Sequence, residues 1–480
     1  MSTPTFLWHD YETFGISARR DRPAQFAAIR TDMELNPVGE PIMLYCQPAN
    51  DYLPDPQSCL ITGITPQHCL QHGIPEHEFA AVLLQAFSEP GTIGVGYNTI
   101  RFDDEFTRFL FWRNLIDPYA REWQNGCGRW DILDMVRATY ALRPDGIAWP
   151  QHEDGRTSFR LEQLSAANGL AHEAAHDALS DVRATIALAR LIRERQPRLF
   201  DFCLDLRRKD RAAEEISLHA PRPFLHVSGM FAVERGCIAL MWPLAQHPTN
   251  KNEIIAWDLA FDPAELRDMD ATAIKSRLFV AKDALPEGLT RLPIKSIHLN
   301  KSPIVISNLK TLSPASAAQW GINLEQALQH AASAATLNAD ASFSARWHAV
   351  YQRAPAVNTD VDADLYGGFV GNVDRRRLNQ LRALPPEQLA QPNSFDDARL
   401  DELVWRYRAR NFPQTLSINE AANWEQHRAA RLFDGADDAR TLQGLFDDID
   451  QRIEDADERG EATLSALYDY AENIAPSRSR

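Results

Sequence analysis

Phe6-Leu7-Trp8-His9-Asp10-Tyr11-Glu12-Thr13-Phe14-Gly15 is the stretch that decides how the first part of this 480-residue chain folds. A mostly apolar run precedes a polar turn, which reads as a strand. Asp10 and Glu12 are two residues apart, so on a strand both carboxylates point to the same face. Two carboxylates side by side repel unless a cation or a proton intervenes. Hard oxygen ligands of this kind suit Mg²⁺ or Mn²⁺. The pair alone decides little: with 66 acids in 480 residues, roughly nine acid-x-acid pairs arise by chance.

Working outward, residues 25–31 and 42–46 read as further strands, separated by the turn residues Asn36-Pro37-Val38-Gly39. Thr65 and Pro66 suit the cap and first position of a helix. Residues 76–87 form another helix, 91–97 a short buried strand and 102–114 a helix. Residues 130–141, 161–168 and 177–195 complete a helical series. Early strands followed by alternating helices and strands predict an α/β domain over residues 1–197. Short strands between residues 221 and 309 predict a small β-rich domain. From Leu312 onward the Ala-, Leu-, Glu-, Arg- and Asp-rich chain reads as helical.

Composition sets outer limits. The chain is 44% hydrophobic and 24% charged, ordinary for a globular protein. No run of 18 apolar residues predicts a membrane span. Residues 1–7 lack a basic region followed by an apolar core, so no signal peptide is expected. Six scattered cysteines without a C-x-x-C suit reduced thiols, and a cytoplasmic location is expected. The net charge of −16 argues superficially against a nucleic-acid partner. Residues 434–461, however, hold eleven acids against three arginines, a local balance of −8, which reads as a solvated helix face. Residues 190–222 carry nine basic residues against six acids, a balance of +3. A DNA enzyme needs a local basic track rather than a basic total.

Two further groups join Asp10 and Glu12. Gly96-Tyr97-Asn98 ends the buried strand, and Arg101-Phe102-Asp103-Asp104 opens the next helix. His176 lies just before a helix that opens at Asp177 and carries Asp181. Asp10-x-Glu12, then Asp103, then His176-x-x-x-x-Asp181 resemble the three exonuclease motifs of the DEDD superfamily in its histidine subtype. Further stretches narrow the resemblance to bacterial exonuclease I. They are Asp21-Arg22-Pro23-Ala24-Gln25-Phe26, Tyr52-Leu53-Pro54, Ile61-Thr62-Gly63-Ile64-Thr65, Ser158-Phe159-Arg160-Leu161-Glu162, His226-Val227-Ser228-Gly229-Met230-Phe231 and Tyr407-Arg408-Ala409-Arg410-Asn411-Phe412-Pro413. Residues 323–355 and the acidic tail match least well.

The resemblance implies a ribonuclease H-like exonuclease domain (1–197), an SH3-like β domain (198–350) and a helical C-terminal domain (351–475). It implies 3′ to 5′ hydrolysis of single-stranded DNA to 5′-mononucleotides, in DNA repair and recombination. Two divalent ions, Mg²⁺ with Mn²⁺ able to substitute, would be held by Asp10, Glu12, Asp181 and Asp103. His176 would be the general base, since an unperturbed pKa of about 6.5 suits proton transfer at neutral pH. Arg160 would contact the substrate near the scissile end. Arg108, Tyr119, Trp123, Arg137, Arg143 and Phe159 would line the DNA path, because aromatics stack on bases and arginines neutralise phosphates. Lys209, Asn252, Lys295 and Tyr366 are weaker candidates of the same kind, as solvated or core roles fit them equally well. The acidic, apolar C-terminal tail of single-stranded DNA-binding protein is the implied protein partner, with Arg143 and Phe202 as its contacts. Three other readings are weighed: an exoribonuclease, a binding protein with a relict site, and a polymerase proofreading subunit. A match continuing far beyond the roughly 200 residues that the chemistry needs favours the free-standing DNA enzyme.

Overall fold

The computed structural model describes residues 3–170, 177–280, 284–352, 360–391 and 394–477. In chain order it begins with β1 (Thr5–Thr13), β2 (Pro23–Thr31), β3 (Ile42–Tyr45), α1 (Pro56–Thr62), α2 (Pro66–His72), α3 (Glu76–Ser88), β4 (Thr92–Gly96) and α4 (Asp103–Arg113). Then come β5 (Gly128–Asp131), α5 (Leu133–Leu142), α6 (Leu161–Ala167), α7 (Ala178–Arg195), α8 (Pro197–Asp205) and α9 (Lys209–Ile216). The middle holds β6 (Phe224–Val227), β7 (Ile238–Gln246), β8 (Glu253–Asp258), α10 (Ala271–Leu278), β9 (Ile294–His298) and β10 (Ile304–Ile306). Helices close the chain: α11 (Pro314–Gln319), α12 (Leu324–Asn338), α13 (Ala341–Val350), α14 (Asn372–Arg382), α15 (Arg399–Asn411), α16 (Ile418–Asp434), α17 (Leu442–Ile453) and α18 (Glu458–Ile474).

The chain divides into two compact units that do not follow sequence order. The first comprises residues 1–128, 172–183 and 356–480; the second comprises residues 129–171 and 184–355. In the first unit β1 pairs antiparallel with β2 and parallel with β4, and β2 pairs antiparallel with β3. β1 is therefore an inner strand, and its apolar residues Phe6, Leu7 and Trp8 are buried. Thr65 caps α2 as anticipated, its hydroxyl accepting from the His68 N–H at 3.2 Å.

The C-terminal helices share this unit and its cores. Phe14, Tyr52, Leu53 and Cys59 share one core with Leu432, Leu445, Ile449, Leu464 and Leu467. Phe109, Trp112 and Leu115 share another with Leu378, Leu400, Leu403 and Tyr407. The acidic stretch is the outer face of α17 and α18, whose inner faces supply those leucines. In the second unit β10-β6-β7-β8-β9 form an antiparallel five-stranded sheet, the SH3-like β domain.

Three local expectations change. Residues 128–131, expected to open a helix at Trp130, form β5, and the helix starts at Leu133. Asp131 Oδ1 accepts from the Leu133 N–H at 3.0 Å and makes the switch without a glycine or proline. Pro197 begins α8 as well as ending α7, because proline suits the first helical turn. Helix α10 lies between strands of the β domain. All six cysteines are buried and free. Among the described residues no helix is long and apolar enough to cross a membrane.

Candidate active site

Asp10 and Glu12 project from the C-terminal half of β1, and the last β1–β4 pair, Trp8–Val95, lies just before them. Beyond β4 the chain turns at Asn98, whose φ of 67° is a left-handed conformation that asparagine tolerates. A single 3₁₀ turn then delivers Asp103 to the start of α4. Asp103 Oδ1 accepts from the Tyr11 N–H at 3.0 Å, so the strand backbone between Asp10 and Glu12 holds the third carboxylate in place. Asp181 comes from the first turn of α7.

Three of these acids converge: carboxylate oxygens of Asp10, Glu12 and Asp181 all lie within 4.8 Å of one another. The cluster is strongly self-repelling. Burial, then Asp103, Glu12, Asp181 and Asp177, push the Asp10 carboxyl well above its ordinary range. Burial, Asp181 and Asp177 raise Glu12 to about 8. Carboxylates this close, with other acids as the charges acting on them, fit a hard divalent cation better than any resident side chain. Asp10, Glu12 and Asp181 are the residues that would hold it, with Asp103 next to them.

A clamp absent from the sequence reading sets the position of α7. Gln25 lies opposite Glu12 in the β1–β2 register. Its side-chain oxygen accepts from the Ala178 N–H at 3.3 Å, and its amide donates to Asp177 Oδ1 at 3.4 Å and to the Tyr45 hydroxyl at 3.2 Å. Asp177 in turn accepts from the Ser180 N–H at 3.2 Å, capping the helix. The signals for Gln25 in the sequence were its place on a strand beside β1 and in the family-like stretch Asp21–Phe26. His176 lies outside the described residues.

The expected DNA-path residues divide by environment. In the first unit Trp123 is 64% exposed, and Tyr366 and Phe369 are exposed too. Tyr119 lies 5.9 Å from the Phe369 ring. Arg108 departs from the expectation of an open phosphate contact. Its side chain is only 7% exposed and is ion-paired with Glu105 and Glu122, both at 2.7 Å. It donates to the Tyr366 hydroxyl at 3.1 Å and lies over the Tyr119 ring at 5.3 Å. Arg108 thus positions two aromatics, and sequence reasoning missed Phe369 beside them.

In the second unit Arg160 is largely exposed at the start of α6, with Glu162 3.9 Å away. Phe159 packs on Tyr140, and Arg137 lies over its ring at 5.7 Å. Lys209 is exposed at the start of α9, and Asn252 is half-buried. Lys295 donates to Ser228 Oγ at 2.8 Å and lies over Phe231. Arg143 donates to the Thr311 carbonyl at 3.0 Å. With Phe202, Leu142, Leu199 and Ile306 it lines a cavity of about 580 Å³.

A ribonuclease H-like sheet that brings Asp10, Glu12 and Asp181 together, with Asp103 tied to the same strand, defines an exonuclease. The exonuclease family model matches residues 7–189, the exonuclease I SH3-like domain residues 207–353 and the exonuclease I C-terminal domain residues 359–474. Exodeoxyribonuclease I of Escherichia coli is 45% identical over 475 residues, covering 98% of each chain. Exonuclease I from Methylocaldum szegediense superimposes with a TM-score of 0.93 at 47% identity, covering 98% of this chain and 99% of that one. E. coli exonuclease I in complex with a dA16 oligonucleotide gives 0.93 at 44% identity, covering 98% and 100%. The chain belongs to the exonuclease I family and is an exodeoxyribonuclease.

Proposed function

We propose that this enzyme is a Mg²⁺-dependent 3′ to 5′ exonuclease that degrades single-stranded DNA to 5′-mononucleotides, processively, in DNA repair and recombination in the cytoplasm. The observation that carries the reading is the convergence of Asp10, Glu12 and Asp181 within 4.8 Å. The E. coli relative's complex with a dA16 oligonucleotide supports the choice of substrate. Divalent cations bound here, two in number and with Mn²⁺ able to replace Mg²⁺, supply activation of the attacking water and neutralisation of charge at the phosphate. Asp10, Glu12 and Asp181 bind and orient; Asp103 fixes the strand end and adds a carboxylate. His176 takes the proton of the attacking water. Trp123, Tyr119 and Tyr366 stack bases, while Arg108 keeps Tyr119 and Tyr366 in position. Arg160 contacts the strand near the scissile end. Arg137, Arg143, Phe159, Lys209, Asn252 and Lys295 hold the strand further along.

A time course on 5′-labelled single-stranded DNA, double-stranded DNA and RNA, with and without EDTA, tests this. Stepwise shortening of the 5′-labelled single-stranded DNA alone, abolished by EDTA, is expected. Preference for RNA or undiminished hydrolysis in EDTA overturns it.

The cavity lined by Arg143 and Phe202 suits the C-terminal tail of single-stranded DNA-binding protein. An arginine fork fits a terminal carboxylate, and Phe202, Leu142 and Ile306 offer an apolar wall. A tail-peptide titration should show clear weakening in Arg143→Ala; equal affinity rejects the assignment.

A further inference from the structure

A second cavity, of about 450 Å³, lies within the first unit and contains none of the active-site acids. Helix α14 forms one wall, and residues 116–127 with part of α3 form the others. Four arginines line it, Arg121, Arg375, Arg376 and Arg382, against one acid, Asp117. Arg121 is paired with Asp104, and Arg375 with Asp117 at 3.0 Å. Arg376 and Arg382 have no carboxylate partner among the described residues. Arg382 donates to the Asn379 side-chain oxygen at 3.0 Å, and burial lowers its pKa, with only the Tyr407 hydroxyl acting the other way. Among the described residues the buried Nε groups of Arg375 and Arg382 have no acceptor. Arg376 is exposed, while Arg375 and Arg382 are half-buried along the same wall.

We propose that this cavity binds the phosphate of a 5′-mononucleotide. Two uncompensated guanidinium charges match a phosphomonoester, which carries about −1.5 to −2 at neutral pH. A phosphodiester within a strand carries one charge and matches less well. Arginine forks are suited to phosphate oxygens, and the volume falls in the range of about 300–1,000 Å³ typical of small-ligand sites. The choice of a nucleotide as the phosphomonoester rests on the exonuclease reading above; the phosphate chemistry does not.

The test is equilibrium binding to the full-length protein in EDTA, which silences the metal site. The ligands are 5′-dAMP, inorganic phosphate, deoxyadenosine and an unphosphorylated dT10. 5′-dAMP should bind and deoxyadenosine should not, and inorganic phosphate should displace 5′-dAMP. The double variant Arg376→Ala/Arg382→Ala should weaken 5′-dAMP about tenfold or more, while still hydrolysing short oligonucleotides in Mg²⁺ at the parent rate. Should the double variant misfold, the exposed single change Arg376→Gln carries the test in the same direction. Deoxyadenosine binding as well as 5′-dAMP, or an unchanged affinity in the variants, overturns the proposal. An equal loss for dT10 overturns it in favour of the strand backbone. A protein that binds 5′-dAMP through these arginines but hydrolyses no DNA would contradict the exonuclease reading and leave this site standing.

Discussion

Two clusters of acids in the first unit meet opposite surroundings. Around Asp10 and Glu12 the charges that act most strongly are other acids, and both carboxyls are pushed up. Around Asp51 and Asp362 arginines close in: Arg410 bonds Asp51 at 2.8 Å and Asp362 at 2.9 Å, with Arg406 and Arg431 beside them. Burial would raise the Asp51 carboxyl too, but Arg410, His427 and Arg431 outweigh it and hold it well below the usual range. Glu76 is treated alike by Arg113 and Arg22. The second cluster carries its own cations and joins α15 and α16 to the loop after β3. Among the described residues only acids are the charges acting on Asp10 and Glu12, and that pair fits cations taken from solution. The difference separates a fastening from a site, although the residue types are the same.

The largest expected effect comes from breaking the cluster around Asp10. Asp10→Asn should lower hydrolysis by about a thousandfold or more, an activation cost of roughly 4 kcal/mol, and leave the metal-free fold as stable or more so. Steady-state rates on labelled single strands and thermal unfolding in EDTA check both halves. Activity above a few per cent removes Asp10 from the site.

Breaking the compensated cluster should do the reverse. Arg410→Ala leaves Asp51 and Asp362 buried with a lost partner, which typically costs about 3–5 kcal/mol. Denaturant unfolding should shift sharply, while the variant that remains folded retains its metal dependence. An unchanged midpoint would deny the network its fastening role.

Acid should distinguish the clusters by sign. The depressed carboxyls of Asp51 and Glu76 contribute stability that is present above their unfolded values near 4 and lost as pH falls through their folded ones. Glu12, raised to about 8, contributes in the metal-free protein stability fully present below its unfolded value near 4.5 and lost as pH rises through about 8. EDTA-treated protein should therefore gain modestly in stability from pH 9 toward pH 6 and lose it steeply below about pH 4. A monotonic rise from pH 4 to 9 in thermal scans would contradict the assignment of Glu12.

The smallest effect tests the aromatic path. Trp123→Ala should weaken oligonucleotide binding by about 1–3 kcal/mol, with no loss of stability, since its ring is mostly exposed. Unchanged binding in a fluorescence titration would return Trp123 to the surface.

The two clusters also differ in how far the sequence reveals them. Asp10 and Glu12 announce themselves by strand spacing, and Asp103 and Asp181 by their places at helix starts, because those signals are local. Gln25 belongs to the same site but sits on a neighbouring strand, where only the β1–β2 register assigns it a role. The Asp51–Arg410 pair spans 359 residues, and no periodicity links its members. For the same reason the core shared by Phe14 and Leu464 was not legible. Arg108 shows the converse. Family likeness offered it as a phosphate contact, but Glu105 and Glu122, three residues before it and fourteen after, occupy its guanidinium.

If Asp10 and Glu12, pushed up by burial and neighbouring acids, hold protons until a divalent ion arrives, binding that ion must release them. Calorimetric titration of metal-stripped full-length protein with Mg²⁺ at pH 7, in two buffers of different ionisation enthalpy, reads this directly. The expected result is a buffer-dependent heat corresponding to net proton release, lost in Asp10→Asn. A heat independent of buffer, or Mg²⁺ binding undiminished in Asp10→Asn, would contradict the account.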